Sequence, residues 1–192
     1  MIASVAAGFF ALDILLMMAL QVWNRELGLF VHPISDYGLG KSAALFRIYV
    51  TAGSVAAPLL AYLFWQSKAP VYPAAIPVYL GLMMVARVLL GLYPNDPRDL
   101  PRTRAGRIHH AATLVAFTTA YLTIVEATPL LVATSRLGEV VLWVKHFFSL
   151  GFFAVVLTVA PHWRQWFGLA ERMFLYSCAL WFLCVCLSFD GV

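Results

Sequence analysis

Six runs of apolar residues, at 2–23, 43–65, 74–93, 108–131, 140–160 and 168–189, divide this chain of 192 residues. Each is close to the ~20 residues with which an α-helix crosses a hydrocarbon core about 30 Å thick. In lipid, only helices and closed barrels satisfy every backbone polar group. The runs are continuous, without the alternation of barrel strands, so helices are expected. The fold class that follows is all-α: an integral membrane bundle of about six transmembrane helices, forming a single domain over residues 1–192. Composition excludes the soluble alternative. Hydrophobic residues make up 62% of the chain and charged residues 11%, against roughly 45–50% and about 25% in soluble domains. Too few polar side chains remain to cover a soluble surface of this size.

Basic residues report the orientation. Of the 13 Lys and Arg, two lie in even connections (Lys68 and Arg136) and two inside helices (Arg87 and Lys145); the rest, from Arg25 to Arg172, lie in or beside odd connections. The positive-inside rule then places the odd connections in the cytoplasm and both termini outside. Trp23, Trp65, Trp143, Trp163 and Trp166 fall near helix ends, as an interfacial aromatic belt requires. The net charge of +4 is thus accounted for by topology, and no nucleic-acid module is present. Cys178, Cys184 and Cys186 all lie in the last apolar run. They have no metal-type spacing and are read as small buried hydrophobes.

Polar chemistry collects at one end of the bundle. The first connection carries His32-Pro33-Ile34-Ser35-Asp36-Tyr37-Gly38, and the third carries Asn95-Asp96-Pro97-Arg98-Asp99. The fourth helix then opens with Gly106-Arg107-Ile108-His109-His110, and His162 begins the fifth connection. Odd connections share one membrane face, so these residues are neighbours under either orientation. Candidate ligand-binding residues are His32, Ser35, Asp36, Asp96, Arg107, His109 and His110. One reading is a metal site: His32, Asp36 and His109 would suit zinc, with one position open to water. Another is an anion site. Arg98, Arg102, Arg104 and Arg107 lie near the start of the fourth helix, whose dipole favours negative charge, and a phospholipid headgroup suits that field. The plainest reading is that Ser35, Asp36 and Asn95 bond loop backbone, as such residues do in turns. Asp36 and His109 are expected close together in a single structured site.

Charges inside the runs need partners, because charge in a bilayer is costly. Glu126 and Lys145 are expected to pair between the fourth and fifth helices. Asp13 and Arg87 form a second candidate pair between the first and third, with Asp36 or Asp96 as other partners for Arg87. Haem is disfavoured, since His109 and His146 enter the bundle from opposite faces. Ser42 is a candidate cap for the second helix, and Pro58 should kink it.

The segment His32-Pro-Ile-Ser-Asp-Tyr-Gly-Leu-Gly, with Tyr93-Pro-Asn-Asp-Pro, Gly106-Arg-Ile-His109 and the Gly168-Leu-Ala-Glu-Arg start of the last helix, resembles a prokaryotic membrane family, domain-of-unknown-function family 998. The resemblance spans nearly the whole chain. It implies a six-helix bundle in a prokaryotic inner or cytoplasmic membrane, and brings no activity with it. Serine, aspartate and histidines at one membrane face are also similar to zinc-dependent membrane hydrolases of the ceramidase and progestin-receptor superfamily, although the last helix has no His-x-x-x-His. Three functions remain: binding of membrane lipids or their headgroups at the polar cytoplasmic face, metal-dependent hydrolysis of a lipid-like substrate, and service as an accessory subunit of a larger membrane complex.

Overall fold

In a computed structural model, which describes residues 1–67, 71–97 and 100–189, the chain forms six long helices. They are α1 (Ile2–Trp23), α2 (Ala43–Gln66), α3 (Ala75–Leu92), α4 (Arg104–Thr134), α5 (Gly138–Thr158) and α6 (Phe167–Phe189). All six are long and apolar enough to cross a membrane. At 1.5 Å per residue, the 22 residues of α1 reach ~33 Å. Short 3-10 turns at Ile34–Gly38, Gly40–Ser42 and Pro161–Trp166 occupy the first and fifth connections. Every regular element among the described residues is helical. Lys68, Arg98 and Asp99, which the sequence reading used, lie outside the described residues.

Each helix packs on its chain neighbours, and α6 returns to lie beside α1, closing a ring. The burial pattern follows from the solvent. Ala6, Leu60, Leu80, Ile124, Phe148 and Trp181 are fully buried. Leu15, Val78, Leu114, Phe147 and Leu150 are largely exposed on the outer surface, where lipid tails take the place of water. The tryptophans read as belt residues, Trp23, Trp65, Trp143, Trp163 and Trp166, are all exposed. The protein is an integral membrane protein.

Some local expectations need correction. The fourth helix runs 31 residues, past both ends of the 108–131 apolar run. Its start is extended by Thr103, whose hydroxyl accepts from the Gly106 amide at 3.1 Å, as an N-cap does. At its far end it continues through Pro129. Ser42 holds the N-cap position of α2 but makes no capping bond. Its hydroxyl instead accepts from Asn24 Nδ2 at 3.1 Å, tying the end of α1 to the start of α2.

The Glu126–Lys145 pair is not formed. Glu126 is turned toward α3, where it accepts from the Tyr79 hydroxyl at 3.1 Å. Lys145 makes no ion pair among the described residues. The rotation of α4, which faces Glu126 to α3 and not to α5, decides this. The other intramembrane pair is present: Arg87 Nη2 lies 2.6 Å from Asp13 Oδ1.

Candidate functional site at the odd-connection face

The first connection is held from below by the start of α6. Arg172 is only 5% exposed, and nearly all its donors have acceptors. Its Nη1 reaches the carbonyls of Leu29 and His32 at 2.7 Å and of Gly168 at 2.8 Å. Its Nε donates to Gln21 Oε1 and its Nη2 to the Tyr37 hydroxyl. Beside it Glu171, also buried, accepts from the Ile34 amide at 2.5 Å. A Cβ at Gly168 would run into the carbonyls of His32, Leu29 and Phe30, so glycine is what lets the loop lie on the helix. Sequence reading counted Arg172 as a marker of topology and gave Glu171 no role. The only available signal was their place in the Gly168-Leu-Ala-Glu-Arg motif.

On this platform the 3-10 turn presents Ser35 and Asp36. His32 Nδ1 donates to Asp36 Oδ2 at 2.9 Å. Asn95, from the third connection, donates through Nδ2 to Asp36 Oδ1 at 3.3 Å and to Ser35 Oγ at 3.4 Å. The first and third connections are therefore locked together, with Asn95 as the bridge.

Asp96 does something else. Its carboxylate accepts from the Thr103 amide at 2.8 Å and the Thr103 hydroxyl at 2.7 Å. It packs so closely on Gly106 that a Cβ there would overlap it. These bonds hold the Asp96 carboxyl below the usual carboxylate range. The protein's own carboxylate thus sits at the helix start, where the dipole favours it. Arg107 is exposed on α4 and does not line the cleft formed here; His162 is exposed too.

Two spaces flank the seam of Ser35, Asn95 and Asp36. On one side is an open polar cleft of about 400 Å³, walled by Asp36, Asn95, Asp96, Arg102, His110 and Arg164 among others. It draws on the first, third and fifth connections. Arg102 and Arg164 make no hydrogen bond or ion pair among the described residues, whereas Asp36 and Asp96 are engaged. The other space is a smaller cavity of about 60 Å³ inside the bundle, lined by Ser35, Arg87, His109 and Glu171 and otherwise largely by apolar side chains.

His109 belongs to the inner space. It is 1% exposed, and its Nδ1 donates to the Tyr93 carbonyl at 2.8 Å. That bond fixes the tautomer: in the neutral ring, Nε2 keeps the lone pair. Nε2 is buried without a partner. Asp36 walls the cleft and His109 the inner cavity, so the two belong to adjacent spaces. No group of three His, Cys, Asp or Glu side chains among the described residues is arranged to hold a metal ion. Cys178, Cys184 and Cys186 are buried free thiols.

Comparison with known proteins assigns this architecture no activity. No curated protein and no solved structure matches the chain. A family model described as "Protein of unknown function (DUF998)" matches residues 5–188. The seam motifs, the α4 start and the α6 platform all fall inside that match, and the chain belongs to this family.

Proposed function

We propose that the protein binds the phosphate-bearing headgroup of a membrane lipid in the cleft between the first, third and fifth connections. The observation that carries this reading is the pair Arg102 and Arg164, which make no hydrogen bond or ion pair among the described residues and line one cleft whose carboxylates already accept hydrogen bonds. Guanidinium groups match phosphate oxygens in a planar, bidentate way, and His110 adds a third nitrogen donor or acceptor. Trp163 and Trp166 flank Arg164 and are exposed, as interfacial tryptophans are, which supports a cleft at headgroup depth. The bias of Lys and Arg toward the odd connections supports a cytoplasmic cleft. With the resemblance to a prokaryotic family, the inner or cytoplasmic membrane is the compartment we infer.

Native mass spectrometry of the protein released from detergent tests this reading. The wild type should retain a phospholipid, and Arg102→Gln with Arg164→Gln should lose it. Absence of lipid, or retention unchanged by the substitutions, would overturn the reading. Stoichiometric zinc in the same spectra would favour the hydrolase alternative, and a co-purifying protein the subunit alternative.

A further inference from the structure

We propose that the inner cavity beneath the first connection binds the hydroxyl end of a neutral aliphatic molecule, with His109 Nε2 as hydrogen-bond acceptor. This site does not depend on the headgroup reading, because the seam of Ser35, Asn95 and Asp36 stands between the cavity and the cleft.

The acceptor comes first. Buried polar atoms are paired in the great majority of proteins, yet Nε2 of His109 has no partner. With Nδ1–H committed to the Tyr93 carbonyl, the neutral ring can only accept at Nε2. Ser35 supplies the complement. Its Oγ accepts from Asn95 Nδ2, so its own proton is left to donate. A hydroxyl group suits both: it gives its proton to Nε2 and receives one from Ser35.

The cavity itself has room only for the hydroxyl end, and the apolar wall leading out of its open side selects the body and charge of the ligand. From His109 to Ala120 the α4 wall extends ~16 Å at 1.5 Å per residue. It becomes apolar after Thr113, with Ala116, Phe117 and Ala120, and Phe174 joins it from α6. An anion is disfavoured, because the Glu171 carboxylate lies at the same end and Arg87 is already paired with Asp13. Water could meet the same two polar atoms, but only a ligand with an alkyl body also covers the apolar wall beyond them.

The test uses 1-octanol as the probe, with octyl methyl ether and octanoate as chain-matched controls. The full-length protein, labelled with ¹⁵N-histidine in micelles, is titrated and the His109 Nε2 resonance followed; His109→Phe assigns the signal. Octanol should shift it saturably. The ether, which lacks a donor, should bind roughly tenfold or more weakly, and octanoate should leave the resonance unmoved. Ala116→Leu should fill the cavity and abolish the octanol shift while the Nδ1 signal stays in place; Ala120→Leu serves if that variant does not fold. Equal responses to octanol and ether, an octanol shift that survives the filled cavity, or a resonance that octanol does not move would each overturn the proposal.

Discussion

Arg87 on α3 places Nη2 2.6 Å from Oδ1 of Asp13 on α1, reaching it across the face of α2. Gly53 makes the crossing possible, since a Cβ there would overlap the guanidinium. On the way Arg87 donates to the carbonyls of Tyr49 and Val50 and lies over the Tyr49 ring. One side chain therefore ties three helices together in the interior. Asp13→Ala should destabilise the bundle by about 3–5 kcal/mol, because it leaves an uncompensated buried charge. Asp13→Ala combined with Arg87→Met should cost less than that single change. Thermal unfolding in micelles reads both; a double variant as unstable as the sum of the single ones would contradict the pairing.

Arg172 should not be replaceable by lysine. An ammonium has three donors on a point charge and cannot reproduce the guanidinium fork that spans the carbonyls of Leu29, His32 and Gly168. Each buried acceptor left without a donor costs about 1–3 kcal/mol. Arg172→Lys should therefore raise amide exchange of residues 29–38 by roughly tenfold or more and leave the α4–α5 turn unchanged. Exchange that rises equally everywhere would indicate global loss of stability instead.

Asp96 gives the third connection a pH dependence. Its carboxyl is depressed by the Thr103 hydroxyl and amide, so its contribution is complete above the ordinary aspartate range, roughly pH 4. It is lost as pH falls through the lower value of the folded state. The Thr103 and Gly106 amides should lose exchange protection below pH 4 in the wild type. In Asp96→Asn, Thr103 protection should be low at every pH. An identical acid transition in the variant would assign the effect to another carboxylate.

Orientation is open to direct labelling. Gly28→Cys lies in the first connection and Arg136→Cys in the fourth, both exposed, while the native cysteines are buried. An impermeant maleimide applied outside intact cells should reach Cys at 136 and not at 28. The reverse pattern would invert the topology.

Much of this was legible in residue order because lipid is a demanding solvent. A helix must span it, so the six runs mark the six helices. A buried arginine must find a carboxylate, so Asp13 could be named for Arg87. The misses arise where rotation or register decides. Whether Glu126 meets Tyr79 or Lys145 depends on the rotation of α4, which hydropathy does not encode. The role of Asp96 depends on the third connection folding back on Gly106. Arg172 looked like any charge at a helix edge, because nothing local shows that a loop 140 residues earlier lays its carbonyls upon it. The lone pair of His109 becomes visible only once Tyr93 O is seen to occupy the other nitrogen.

The pair Arg102 and Arg164 carries the functional reading, and one titration tests it most directly. Short-chain dihexanoyl phosphatidic acid is added to the protein in micelles, and the fluorescence of Trp163 and Trp166, which flank Arg164, is followed. Saturable binding that weakens with salt and falls by roughly tenfold or more when Arg102 and Arg164 are both changed to Gln is the expected result. Binding of equal strength in the double variant, or no saturable signal in the wild type, would contradict a headgroup site in this cleft.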